Sequence, residues 1–275
     1  MKNLLLSDFR RVFKDKLMLV ILILAVVFSL FTPVLYAVIF SFGAEGLDDP
    51  TISMLINAKS QFFQCFSMGN NLGLIMPVLL GIIICKDFSH GTIRNKIISG
   101  SSRGRIYASM FIVCATVITA VMMLHAFLSL GVSLLFFEYQ PEPFELADAG
   151  YFVASLAMEL LLTVFMGAIL SWLCACSKNV GLVIVLYIAI AFALVMVGSI
   201  TQLAATFLDM QEDTKAVADI FELLTNINPA MLSSRVGIGR EYSLEEVMYN
   251  TVPQIVCGAG LYAIGLVKFK KRDIK

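Results

Sequence analysis

Two ionisable side chains, His125 and Glu159, stand inside long apolar runs of the sequence. A charge in the hydrocarbon of a bilayer is costly, so residues of this kind face a bundle interior or a wet cavity and often mark ion or substrate paths. The chemistry they offer is proton relay, or polar contact with a substrate on its way through. The plainer alternative is a hydrogen-bonded pair that locks two helices. At helical rise His125 lies about 28 Å from the start of its run and Glu159 about 12 Å from the opposite side, so both fall in the same half of a membrane. A second group lies in the polar stretch Lys86 to Arg105, "KDFSHGTIRNKIISGSSRGR". Thr92 to Ser99 predicts a helix of two turns, about 12 Å long. Thr92 is placed to cap it, and Gly100 to end it in a left-handed conformation. Ile93, Ile97 and Ile98 share one side, with Arg94, Asn95 and Lys96 on the others. Such a helix either lies on lipid headgroups or plugs into a groove of a soluble partner.

Little else in the chain suggests catalysis. There is no G-x-x-x-x-G-K-[ST] loop, no H-E-x-x-H, no EF-hand loop and no G-x-S-x-G. The Glu245–Glu246 pair has no histidine near it in sequence. Cys174 and Cys176 lack the further Cys or His that a zinc site needs. Cys85, Cys114, Cys65 and Cys257 are read with them as ordinary small apolar residues. No metal or cofactor site is expected in this chain, no nucleic acid as partner, and no enzymatic activity of its own.

The elements that position these residues follow from composition. Of 275 residues 59% are hydrophobic and 15% charged, with a mean hydropathy of +0.88. Soluble domains carry about 25% charged residues. Apolar runs of about 20 residues, long enough to cross a bilayer, recur along the chain. Six are expected: Leu17 to Phe40, Phe62 to Cys85 (weakened by Asn70 and Asn71), Ile106 to Phe137, Tyr151 to Cys174, Val180 to Leu203, and Val247 to Val267. Residues 1–16 read as an amphipathic interfacial helix, with Leu5, Leu6, Phe9, Val12 and Phe13 on one face; an unstructured basic tail is the alternative. The first apolar run is too long for a cleaved signal core, so it is expected to be retained. The all-α chain thus divides into residues 1–16 and a six-helix transmembrane domain, 17–275. Lys and Arg cluster in residues 1–16, in 86–105 and in the tail, which places both termini and the 86–105 loop in the cytoplasm by the positive-inside rule. The segment 204–246 then lies outside. Its Val217, Ile220, Phe221, Leu224 and Ile227 have helical spacing, broken by Asn228-Pro229. A helix dipping back against the membrane and a solvated subdomain are both compatible with it.

The stretch "DFSHGTIRNKIISGSSRGRIY" resembles the loop after the second span in ABC-2-type ABC transporter permeases. An acid four residues before Gly-Thr, a short helix and a Ser-Arg ending recur there; here these are Asp87, Gly91-Thr92, Ile93 to Ser99 and Ser102-Arg103. Where many members have a second acid two before the Gly, this chain has Ser89. The layout is similar over the whole chain and the motif over about twenty residues. The resemblance implies a type V (ABCG-like) exporter fold in a bacterial plasma membrane. It implies a second permease, identical or paralogous, and two separate ATPase subunits that bind ATP and Mg. The 86–105 loop would be the coupling helix, with Asp87, Gly91, Thr92, Arg94 and Arg103 near the ATPase cleft and Ile93 and Ile97 packing into it. The cargo would be an antibiotic, a peptide, a lipid-like compound or an ion. Two other classes remain open: an ion-coupled secondary transporter using Glu159 and His125, and a membrane adaptor or immunity protein that does not pump.

Overall fold

The computed structural model describes residues 1–41, 57–140, 143–177, 179–210, 214–238 and 243–272. Every regular element among them is helical: α1 (Lys2–Lys14), α2 (Lys16–Ser41), α3 (Ala58–Gln64), α4 (Asn71–Ser89), α5 (Thr92–Ile98), α6 (Arg103–Ser133), α7 (Leu146–Cys176), α8 (Val180–Asp209), α9 (Lys215–Ile227), a 3-10 turn (Pro229–Met231), α10 (Leu232–Ile238) and α11 (Leu244–Lys271). Six of these, α2, α4, α6, α7, α8 and α11, are long and apolar enough to cross a membrane. The chain is a multi-pass membrane protein.

The centre of the bundle is α6 and α7, which pack along each other, with α11 against α7 and α2 against α6. Tyr107, Met122, Leu162, Met166 and Leu170 are fully buried there. In contrast, α8 and α11 bury only 17% of their most apolar windows, so much of their apolar surface faces outward.

The second span begins later than the sequence suggests. Residues 62–70 belong to a separate short helix and a turn, and α4 starts at Asn71. The reason is capping. The Asn57 side chain accepts from the Ser60 amide at 2.8 Å while the Ser60 hydroxyl accepts from the Asn57 amide at 3.1 Å, a reciprocal box that starts α3. Asn70, expected to weaken a span, ends the turn instead: its Oδ1 accepts from the Asn71 amide and its Nδ2 donates to the Gln64 carbonyl. An aromatic cluster of Phe62, Phe63, Phe127 and Phe152 then holds α3 on α6 and α7, with Phe62 centroids 5.1–5.3 Å from the other three.

The segment after α8 folds back on the bundle. Thr225 donates to Thr201 at 2.9 Å, and the Asn228 side chain donates to the carbonyl of Leu194, half-way along α8, at 2.8 Å. The close approach requires Gly198: a Cβ there would lie 2.5 Å from Met231 and 2.8 Å from Asn228. From this turn α10 packs on α3, and Ser233 reaches the middle of α7. The described residues of 204–246 thus form helices that pack on α8, α3 and α11.

Candidate functional site

Two groups of polar side chains stand out, one at each end of the bundle. The first joins α1, α4, α5 and α6. Asp87, at the end of α4, pairs with Arg11 of α1 and lies 3.7 Å from Lys96 of α5. Lys96 in turn pairs with Asp8 of α1 at 2.5 Å, and the Ser109 hydroxyl of α6 donates to the other Asp8 oxygen at 2.6 Å. Two carboxylates and two cations thus close a neutral, charge-assisted network. Asp8 and Asp87 are buried, and removing one partner from such a set leaves a charge without compensation. A further pair, Lys86 to Asp15 at 2.8 Å, ties α4 to the α1–α2 joint. Partial burial pushes the Asp15 carboxyl up, but the Lys86 hydrogen bond, the Leu17 amide and the Lys86 and Arg11 charges outweigh it, so it titrates below its ordinary 3.8.

This network changes what α1 is. The apolar face expected from sequence holds only in part. Asp8 and Val12 are the buried residues of α1, Leu5 and Phe9 pack partly against the core, and Leu6 and Phe13 are exposed. An acid at the centre of a buried stripe breaks the pattern that periodicity detects. Its partner Lys96 lies 88 residues away, so the pair has no local signal.

Helix α5 is framed by two left-handed glycines, Gly91 at φ 69° and Gly100 at φ 88°. Gly91, not Thr92, is the N-cap, its carbonyl accepting from the Asn95 amide at 3.0 Å. The end is a Schellman motif: the Ser101 amide donates to the Lys96 carbonyl and the Gly100 amide to that of Ile97. Ser102 then caps α6. The isoleucine face is split. Ile93 is buried in the chain's own core and Ile97 is half-buried against it, whereas Ile98 is 73% exposed and Arg94 is exposed beside it. Asp87 and Ile93 therefore hold α5 from beneath, and Arg94 and Ile98 are its outward side chains. Arg103 turns away from α5: its guanidinium donates to the carbonyls of Lys270 at 2.6 Å and Arg272 at 3.0 Å, satisfying the end of α11. Arg272 donates to the carbonyls of Cys174 and Ala175 and stacks over Phe88 at 4.0 Å. Helix α1, the end of α11 and the 86–105 loop thus meet at one end, called the basic end below.

The second group is at the far half. His125 and Glu159 are both buried, but among the described residues they are not bonded to each other. His125 Nδ1 lies 3.1 Å from the Ala25 carbonyl oxygen and 2.8 Å from Ser29 Oγ. A carbonyl oxygen can only accept, so the Nδ1 position carries the proton. The Glu159 Oε2 accepts from Ser233 at 3.1 Å, and its buried Oε1 has no partner among the described residues. The expected locked pair is thus two separate locks, α2 to α6 and α7 to α10. Serine partners give no signal in a sequence; both were missed. The Glu245–Glu246 pair is structural: Glu246 closes a capping box with Ser243 at the start of α11, and Glu245 accepts from Tyr249. Among the described residues no group of His, Cys, Asp and Glu could hold a metal ion. No protein-family model matches the chain, and none of the curated proteins compared with it is significantly similar.

Proposed function

We propose that this chain is the membrane subunit of an ABC-type exporter, powered by ATP hydrolysed on two separate nucleotide-binding subunits. The observation that carries the reading is α5. It is a short helix between the second and third spans, with a sharp stop at each end, clamped from beneath by the Asp8–Lys96–Asp87–Arg11 network. A helix so clamped transmits a push to α1 and α4 through its ionic contacts, and on to α6 through the Ser109 hydroxyl bonded to Asp8. Its outward Arg94 and Ile98 offer one charge and one apolar knob to a cleft. The absence of a P-loop from the sequence fits energy arriving from another subunit. In this reading the basic end is cytoplasmic, and the outward faces of α8 and α11 meet lipid or a second permease.

The test is co-expression with an ABC ATPase encoded beside this chain. The two are expected to co-purify, and the double variant Arg94→Glu with Ile98→Asp is expected to lower permease-dependent ATP hydrolysis about tenfold or more, with normal insertion, the size of effect seen when an interface anchor is lost. Absence of co-purification, with activity that survives ATP depletion, overturns the reading. Such a result would favour an ion-coupled transporter, for which the unpartnered Glu159 Oε1 is the relevant observation.

A further inference from the structure

Between α2, α3, α4 and α6, in the far half of the bundle, lies a cavity of about 220 Å³. Its wall is unusual for an apolar bundle. Gln61, Gln64, Asn71, Thr32 and Ser129 line it together with His125, and no Asp, Glu, Lys or Arg does. Some of these groups are already satisfied: the Asn71 side-chain amide donates to the Thr32 hydroxyl at 3.1 Å. Others are not. The carboxamides of Gln61 and Gln64 have no hydrogen-bond partner among the described residues, and neither is sealed in the core, so both are open to the cavity. Two carboxamides open to one cavity offer their donors and acceptors to whatever occupies it, water or a ligand.

The third open group is His125. Its Nδ1 is engaged by Ala25 and Ser29, and Nε2 has no partner among the described residues. With the proton on Nδ1, Nε2 of the neutral ring presents a lone pair and accepts a hydrogen bond. Gln61 and Gln64 are three residues apart on α3, hence on the same face of that helix. Each offers a carbonyl and an NH₂ side by side in one plane, the complement of another amide. A polyol has no such planar pair. A charged group would enter a site without a counter-ion, at a penalty that three neutral hydrogen bonds do not offset.

We propose that this cavity is a binding site for an uncharged, amide-bearing group of the peptide type, held between the Gln61 and Gln64 carboxamides with one N–H donated to His125 Nε2. Its volume suits a fragment, since whole drug-sized ligands occupy about 300–1,000 Å³. The site takes one or two peptide units of a larger molecule. That this molecule is the exported cargo rests on the exporter reading; binding itself does not, because it needs neither ATP nor a partner subunit.

The experiment uses the full chain in lipid nanodiscs and saturation-transfer NMR with four probes: N-acetylglycinamide, methyl glucoside, acetate and tetramethylammonium. N-acetylglycinamide is expected to give the strongest transfer. Gln61→Leu, of similar size without the amide, is expected to weaken it about tenfold with an unchanged thermal unfolding midpoint; Gln64→Leu serves where the first variant does not fold. His125→Gln, which restores an acceptor, is expected to keep more of the binding than His125→Phe. Equal transfer in wild type and both Gln variants, or no transfer from the diamide, overturns the site. Methyl glucoside or an ion binding as well as the diamide overturns the amide assignment. Co-purification with an ATPase is a separate measurement, so the two proposals fail separately.

Discussion

The basic end and the far half of this bundle solve one problem, joining helices through polar atoms, by different means. At the basic end the chain uses full charges: Asp8, Arg11, Asp87 and Lys96 tie α1, α4 and α5 into a network whose members compensate each other. In the far half each join is one or two hydrogen bonds with no ion pair among the described residues: His125 with Ala25 and Ser29, and Glu159 with Ser233. The difference follows from the surroundings. Near a water interface ions are partly solvated, so a charged network is affordable and strong. In hydrocarbon an ion is expensive, whereas a hydroxyl between two helices finds partners readily and contributes modestly. The charged end holds α1, α4 and α5 in one register. The far half is built from single hydrogen bonds, among which lies a cavity lined by open carboxamides.

That contrast can be broken. The largest effect is expected from Asp87→Ala, which leaves Arg11 without its buried carboxylate while Lys96 keeps Asp8. Breaking a buried pair costs about 3–5 kcal/mol, and the partial exposure of Arg11 reduces this to about 2–4 kcal/mol. Thermal unfolding in detergent measures it, and a loss below about 1 kcal/mol would make the network an ordinary surface pair. The loss is expected to shrink between 0.1 and 1 M salt, since the Debye length falls from about 10 to 3 Å.

Ser29→Ala tests the other half. His125 Nδ1 keeps the Ala25 carbonyl, so the expected loss is about 0.6 kcal/mol, the average for a hydrogen bond between membrane helices, with no dependence on salt. A loss as large as that of Asp87→Ala would erase the distinction between the two ends.

The smallest effect concerns Asp15. Its folded-state carboxyl titrates below the ordinary 3.8, so the stability it lends is present above that value and is lost as pH falls through the lower, folded one. The gap in unfolding midpoint between wild type and Asp15→Asn is expected to be constant from about pH 6 down to 4 and to close below it. A gap that widens on acidification would reverse the sign assigned to the Lys86 contact.

Much of the fold was legible residue by residue. Five of the six spans begin within a turn or so of their expected starts, because a bilayer-length apolar run admits hardly any structure but a helix. The Gly100 stop of α5 was readable too, since a left-handed residue after Lys-Ile-Ile-Ser suits glycine almost alone. The second span was misjudged because Phe62, Phe63 and Phe66 look like lipid-facing residues until the Asn57–Ser60 box and Asn70 separate them into α3 and the turn after it. Asn57, three before a serine, was the one local signal for this, and it lies at the edge of an apolar run where caps are easily overlooked.

Charge sorting and apolar length, read from sequence alone, determined that the chain is a six-helix membrane bundle with a framed polar helix between the second and third spans. Those features are local: each follows from a few neighbouring side chains and the solvent they must meet. Only the tertiary structure decided that Asp8 answers Lys96, that Ile93 turns inward while Ile98 turns out, and that Gln61 and His125 share a cavity. Such partners are far apart in the chain, and what pairs them is the packing of helices, which no short stretch of sequence contains.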